Sequence, residues 1–160
     1  TTTEALQSTL PVLENANNNT VVTKTLVLPA DENGVQQTQT ITYKGKQFLT
    51  LTIQQKRQVS EDLKNFIAEH GLEEAKKALK EGEDKDESVQ EARKIPGFNI
   101  ETNLLSETEI ETKTSYDFQV LDVKKASESE YLKKVGLENL LKNEPEEYIE
   151  NRVASGATVQ

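Results

Sequence analysis

The sequence predicts an α+β fold, an antiparallel β-sheet with α-helices packed on one face. Three observations carry this. The elements run as strands, helices, strands and helices again, and such segregation argues against alternating βα units. Residues 40–54 (TITYKGKQFLTLTIQ) alternate large apolar residues with threonine around a short Gly-containing turn, as a hairpin does. Ile110, Thr112, Thr114, Tyr116, Phe118 and Val120 share one parity, which gives a long strand a single buried face.

Taken in order, residues 1–20 read as a flexible polar tether. Thr, Asn, Ser and Gln dominate, and Leu6, Leu10, Val12 and Leu13 follow no period, so little burial offsets the entropy of ordering. A single domain spans 21–152. Residues 21–28 (VVTKTLVL) are β-branched and apolar, which suits a strand, and Pro29 with Asp31–Gly34 ends it in a turn. A three-residue loop at 44–46 would set Ile41 opposite Leu49. It would put Ile41, Tyr43, Leu49, Leu51 and Ile53 on one face and Phe48 on the other.

Ser60 caps a helix with Glu61 and Asp62 in its first turn, where the helix dipole favours them. Leu63, Phe66, Ile67 and His70 form its stripe, and Gly71 suits its C-terminal end. Leu63, Phe66 and Ile67 are expected to pack on Ile41, Leu51, Ile110 and Phe118; once buried, Phe66 would cost about 3–5 kcal/mol on truncation to Ala. Leu72, Ala75 and Leu79 make a second helix ended by Gly82, followed by an exposed loop over 81–88 (EGEDKDES). A short helix over 89–94 is broken by Pro96-Gly97. Phe98, Ile100, Thr102 and Leu104 form the next strand. Ser127 or Ser129 caps a helix carrying Tyr131, Leu132 and Val135, interrupted by Gly136 before Leu137, Leu140 and Leu141. Pro145 opens a last helix anchored by Tyr148 and Ile149, and 153–160 is expected to fray.

Composition narrows the chemistry. Acidic residues outnumber basic ones by 28 to 19, a net charge of −9 that repels phosphate and argues against nucleic acid and anionic lipid as direct partners. The same charge favours a monomer. The absence of cysteine excludes disulfides, thiolate catalysis and Cys-ligated zinc. It suits the cytosol or a bacterial surface. The chain begins at Thr1 and holds no methionine, so it reads as a mature or trimmed form from which a removed signal peptide would leave no trace.

No catalytic or cofactor-binding residue is assigned. His70 is the single histidine and lies on an apolar stripe at a helix end, where packing and dipole complementarity explain it. No G-x-S-x-G, P-loop or G-x-G-x-x-G motif is present. The crowded acids of 81–88 raise a calcium site, with Asp84, Asp86 and Glu87 as its candidates. The EF-hand pattern is missing its third acid and its glycine, so a solvated charge run is the plainer reading.

Residues 40–54, the helix Glu73–Leu79, the strand ETKTSYDFQVLDVKKA (111–126) and the helix EYLKKVGLENLLKN (130–143) together resemble the YehR-like, streptococcal-type lipoproteins of Gram-positive bacteria, a family of unknown function. The resemblance covers roughly residues 22–143. It implies an extracellular domain anchored to the bacterial membrane through a removed N-terminal lipid anchor. The lipidated cysteine is not in this chain, and the 81–95 segment is longer and more acidic than the resemblance predicts. It implies no catalytic residues and no cofactor.

The expected function is a non-enzymatic binding module at the cell surface, with a protein, peptide or cell-wall partner. The tether would give it about 25 Å of reach. The binding surface would be the Thr- and Gln-rich outer face of the sheet together with the acidic loop. The alternatives are a carboxylate-dependent wall-glycan hydrolase, which needs two acids facing across a cleft, and a small-ligand carrier, which needs a large apolar cavity. An intracellular interaction protein would require the gene to lack a signal peptide.

Overall fold

The computed structural model describes residues 20–129 and 137–160. The expected tether, apart from Thr20, and the helix positions Tyr131, Leu132, Val135 and Gly136 lie outside the described residues.

The fold is α+β. Six strands form one antiparallel sheet in the order β4-β5-β3-β2-β1-β6: β1 is Val21–Val27, β2 Gln36–Lys44, β3 Gln47–Gln58, β4 Phe98–Leu104, β5 Glu109–Asp117 and β6 Thr158–Val159. Between β3 and β4 run α1 (Glu61–His70), α2 (Leu72–Lys85) and α3 (Glu87–Arg93). After β5 come α4 (Val123–Glu128), α5 (Leu137–Leu141) and α6 (Pro145–Ala154).

Register explains which face is buried. Ile41 pairs with Leu51, Leu51 with Tyr116 and Tyr116 with Phe98, so one row of large residues crosses four strands. All four are buried. They pack with Ala92 of α3, Ala126 of α4, Leu137 of α5 and Tyr148 and Ile149 of α6 in the main core. At the far end of β4 and β5, Leu104 and Ile110 meet Val59, Ile67 of α1 and Ala75 of α2 in a second core. The expected contact of α1 with Ile110 is therefore present, while Ile41, Leu51 and Phe118 belong to the main core. Phe66 is only half-buried.

The β2–β3 hairpin differs from the sequence expectation. Lys44 pairs with Gln47, so the loop is the two residues Gly45 and Lys46, and Gly45 takes φ 59°. Tight two-residue hairpins require such positive φ. Thr42 pairs with Thr50 and Tyr43 with Phe48, which leaves Leu49 as an inserted residue. This bulge turns Phe48 onto the same face as Tyr43 and Leu51 and leaves Leu49 half-buried.

Three further segments differ. β5 ends at Asp117, whose backbone carbonyl accepts from Val120 and Leu121 in a turn, and Val120 is exposed. Residues 81–85 are helical, because α2 continues through Gly82 to Lys85. The C-terminus is ordered by pairing: Thr158 pairs with Val27, Val159 with Leu26, Gln160 N–H donates to the Thr25 carbonyl at 2.8 Å, and Ala157 is buried. The helix expected to follow a cap at Ser127 or Ser129 lies outside the described residues; the short α4 before it is capped by Asp122, whose side chain accepts from Lys125 N–H. The caps of α1 follow expectation: Ser60 Oγ accepts from Leu63 N–H, and Gly71 sits at φ 90°.

Candidate functional site

The acidic segment was the sequence's metal candidate, and its residues diverge. Asp84 pairs with Arg93 at 3.3 Å. Asp86 caps α3 by accepting from Ser88 N–H at 2.9 Å and Val89 N–H at 3.3 Å. Glu87 is exposed in the first turn of α3. Among the described residues no group of three or more His, Asp or Glu side chains is placed to hold a metal ion.

What this segment builds is a cover for an edge strand. β4 is the outermost strand on its side. The buried carboxylate of Glu83 forms an ion pair with Arg93 and accepts from Thr102 N–H at 2.7 Å. Arg93 donates to the Ile100 carbonyl at 3.0 and 3.2 Å, and Lys80 Nζ donates to the Thr102 carbonyl at 2.7 Å. Three charged side chains thus take the place of a neighbouring strand. The sequence held a signal for this. Glu83 lies four residues after Leu79 and extends the stripe Leu72, Ala75, Leu79 by another turn.

His70 closes α1 with its ring 4.6 Å from that of Phe66 and its side chain about half exposed, as expected for a helix-end packing residue.

Two surfaces remain. One is the sheet face away from the helices. Thr23, Thr42 and Thr50 form one cross-strand row; Thr25, Thr40, Thr52 and Ser115 form the next. At one end of this face Glu111 is buried among polar side chains and accepts from Gln54 and Asn103, each at 3.5 Å.

The other surface, not foreseen from the sequence, is a cleft of about 360 Å³ at the β1 edge on the helix-bearing side. Val22 and Lys24 of β1, Tyr43 at the end of β2, Lys46 in the hairpin loop, and Glu144 and Glu146 at the start of α6 line it. Lys46 and Glu144 pair across it at 3.5 Å. Burial pushes the Tyr43 phenol above its ordinary value of 10.0, and the negative charge of Glu146 adds to the shift. The site therefore holds a protonated phenol at neutral pH between charges of both signs. That is a lining for a polar ligand. A sequence signal existed in the strand parity of Val22, Lys24 and Tyr43, but nothing local tied Glu144 and Glu146 to them.

A protein-family model, described only as a "-like" family and naming no activity, matches residues 21–152. No curated protein matches the chain. An NMR structure of a protein from Streptococcus pneumoniae TIGR4 matches with a TM-score of 0.83 at 66% identity, covering 100% of this chain and 97% of that one. With the family model spanning most of the sequence, and two thirds of the residues shared with a protein of the same length and fold, the chain belongs to that "-like" family and is a relative of the pneumococcal protein.

Proposed function

We propose that the chain is the folded domain of a Gram-positive surface lipoprotein and works as a non-catalytic binding module. The observation that carries this reading is the one-sided placement of the helices. Every described helix that joins a core cluster does so from one side of the sheet, or lies along the β4 edge, and no described element covers the threonine face. A rigid sheet that presents one polar face and a polar cleft holds ligand groups in fixed positions, which favours binding by pre-organisation. The resemblance to YehR-like lipoproteins supports the compartment, and the likeness to a protein of Streptococcus pneumoniae supports a Gram-positive source.

The hydrolase alternative would draw on Glu144 and Glu146, the two acids that line the cleft. Glu144 is the N-cap of α6 and Glu146 lies in its first turn, so both are on one wall, whereas glycoside hydrolysis needs carboxyls flanking the scissile bond. The binding reading is tested by following every amide of the isotope-labelled chain by NMR while calcium, soluble wall fragments and short peptides are added in turn. Localised shifts in the cleft or on the threonine face support it. Release of reducing sugar from wall glycan, lost in Glu144→Gln or Glu146→Gln, would replace it with the enzyme. The compartment is tested separately, by whether the full-length gene product labels with a lipid precursor and remains with the membrane fraction.

A further inference from the structure

We propose that the outer edge of β1, from Val21 to Lys24, takes an extended polypeptide segment as an added strand. The inference rests on the binding-module reading and names the class of its ligand.

The direction of the edge groups is fixed by two hydrogen bonds. Leu28 N–H donates to the Gln37 carbonyl, so the even-numbered residues of this strand turn their polar groups to β2. Gln160 N–H donates to the Thr25 carbonyl, so the odd-numbered ones turn theirs outward. The N–H and C=O of Val21 and Thr23 therefore point away from the sheet. β6 pairs with this edge at Leu26 and Val27, and Gln160 carries the contact on to Thr25. Among the described residues none bonds the outward groups of Val21 or Thr23, and Val21 is 55% exposed.

The two edges of the sheet are treated differently. Along β4 the outward carbonyl of Ile100 and both outward groups of Thr102 are met by Lys80, Glu83 and Arg93. Along β1 no described side chain covers the half that β6 leaves open. An open edge is a template for another strand, and β6 already shows this edge accepting one. Side chains supply the specificity. In an added strand every second side chain would lie beside Val22 and Lys24, in the cleft shared with Tyr43, Glu144 and Glu146. The others would extend the row Thr23–Thr42–Thr50. The segment that fits is extended and proline-free, with β-branched polar residues on one side and uncharged polar residues in the cleft.

The test uses the full isotope-labelled chain and a short blocked peptide that alternates threonine with glutamine. Addition of the peptide should shift the amides of Val21 and Thr23 and slow their hydrogen exchange. The same peptide methylated on alternate backbone nitrogens should leave both unchanged. Thr23→Pro removes one edge donor where proline is tolerated, and should weaken binding by about tenfold or more. An otherwise unchanged amide spectrum shows that this variant is folded. Three results would overturn the proposal. Peptide binding that Thr23→Pro leaves intact, or that shifts amides elsewhere, moves the site while the module reading stands. Shifts at Val21 and Thr23 that follow protein concentration alone make the occupant a second copy of this chain. No response to the peptide at millimolar concentration removes strand addition, and the wall-fragment titration then decides the module reading by itself.

Discussion

The phenol of Tyr148 donates a 2.7 Å hydrogen bond to the side-chain oxygen of Gln39, and both residues are buried. The Gln39 amide nitrogen donates in turn to Gln37 at 2.6 Å. This chain of polar contacts fixes α6 over β2 at one register, because a buried amide without its partner is costly. Tyr148→Phe would leave the Gln39 oxygen unpaired and cost about 1–3 kcal/mol in urea unfolding. Gln39→Leu in the Tyr148→Phe background should recover part of that loss.

Glu83 and Arg93 make a similar prediction at the opposite edge. The Glu83 side chain is 7% exposed; its removal leaves Thr102 N–H without its acceptor and takes from Arg93 its buried carboxylate, leaving it only exposed Asp84 and the Ile100 carbonyl. Glu83→Ala should destabilise by about 3 kcal/mol, whereas Asp84→Ala, at a side chain 70% exposed, should change stability by less than about 1 kcal/mol. Light scattering at high concentration should rise for Glu83→Ala alone, because the β4 edge is then open to other chains.

Gly97 is confined by its backbone and by its surroundings. It takes φ 85°, and an added Cβ would lie 2.8 Å from the Asp117 carbonyl oxygen and 2.8 Å from Leu121 N. Both are backbone atoms that cannot turn aside. Gly97→Ala should lower the thermal midpoint far more than Gly34→Ala, which meets open space at φ 78° and bears only the left-handed strain of about 1–2 kcal/mol.

Phenylalanines 48 and 66 should separate the two cores. Phe48 is buried, with its ring 6.0 Å from both Phe118 and Tyr148. Phe48→Ala should cost about 3–5 kcal/mol. Phe66 is half-buried in the smaller cluster, and Phe66→Ala should cost about 1–2 kcal/mol.

Tyr43 predicts a pH dependence of defined sign. Its phenol is raised in the folded chain by burial and by Glu146, so above pH 10.0 the unfolded chain releases this proton more readily. The contribution is full below 10.0 and is lost as pH rises through the folded value. Urea midpoints should fall with pH above 10.0 more steeply for the natural chain than for Tyr43→Phe.

Much of the sheet was legible in the sequence because strand parity is a local signal. Tyr116, Ile110 and Ile100 were placed on the buried face by alternation alone. The Leu49 bulge was not, since one inserted residue reverses the parity of everything before it and leaves no mark in composition. The charge of the 81–88 segment points to an exposed loop, yet the Glu83 side chain is buried through a partner ten positions away. The β1-edge cleft was illegible for the same reason: Glu144 and Glu146 reach Tyr43 only through the tertiary fold.

The pairing of β1 with β6 joins residues roughly 130 positions apart. Its loop-closure entropy must be met before two residues of ladder reward it, so this contact should form last. The other five strands can assemble first, with no described strand yet on the outer edge of β1. Thr158 and Val159 then act as a latch on Leu26 and Val27, and partial protection of that edge is a late event in folding.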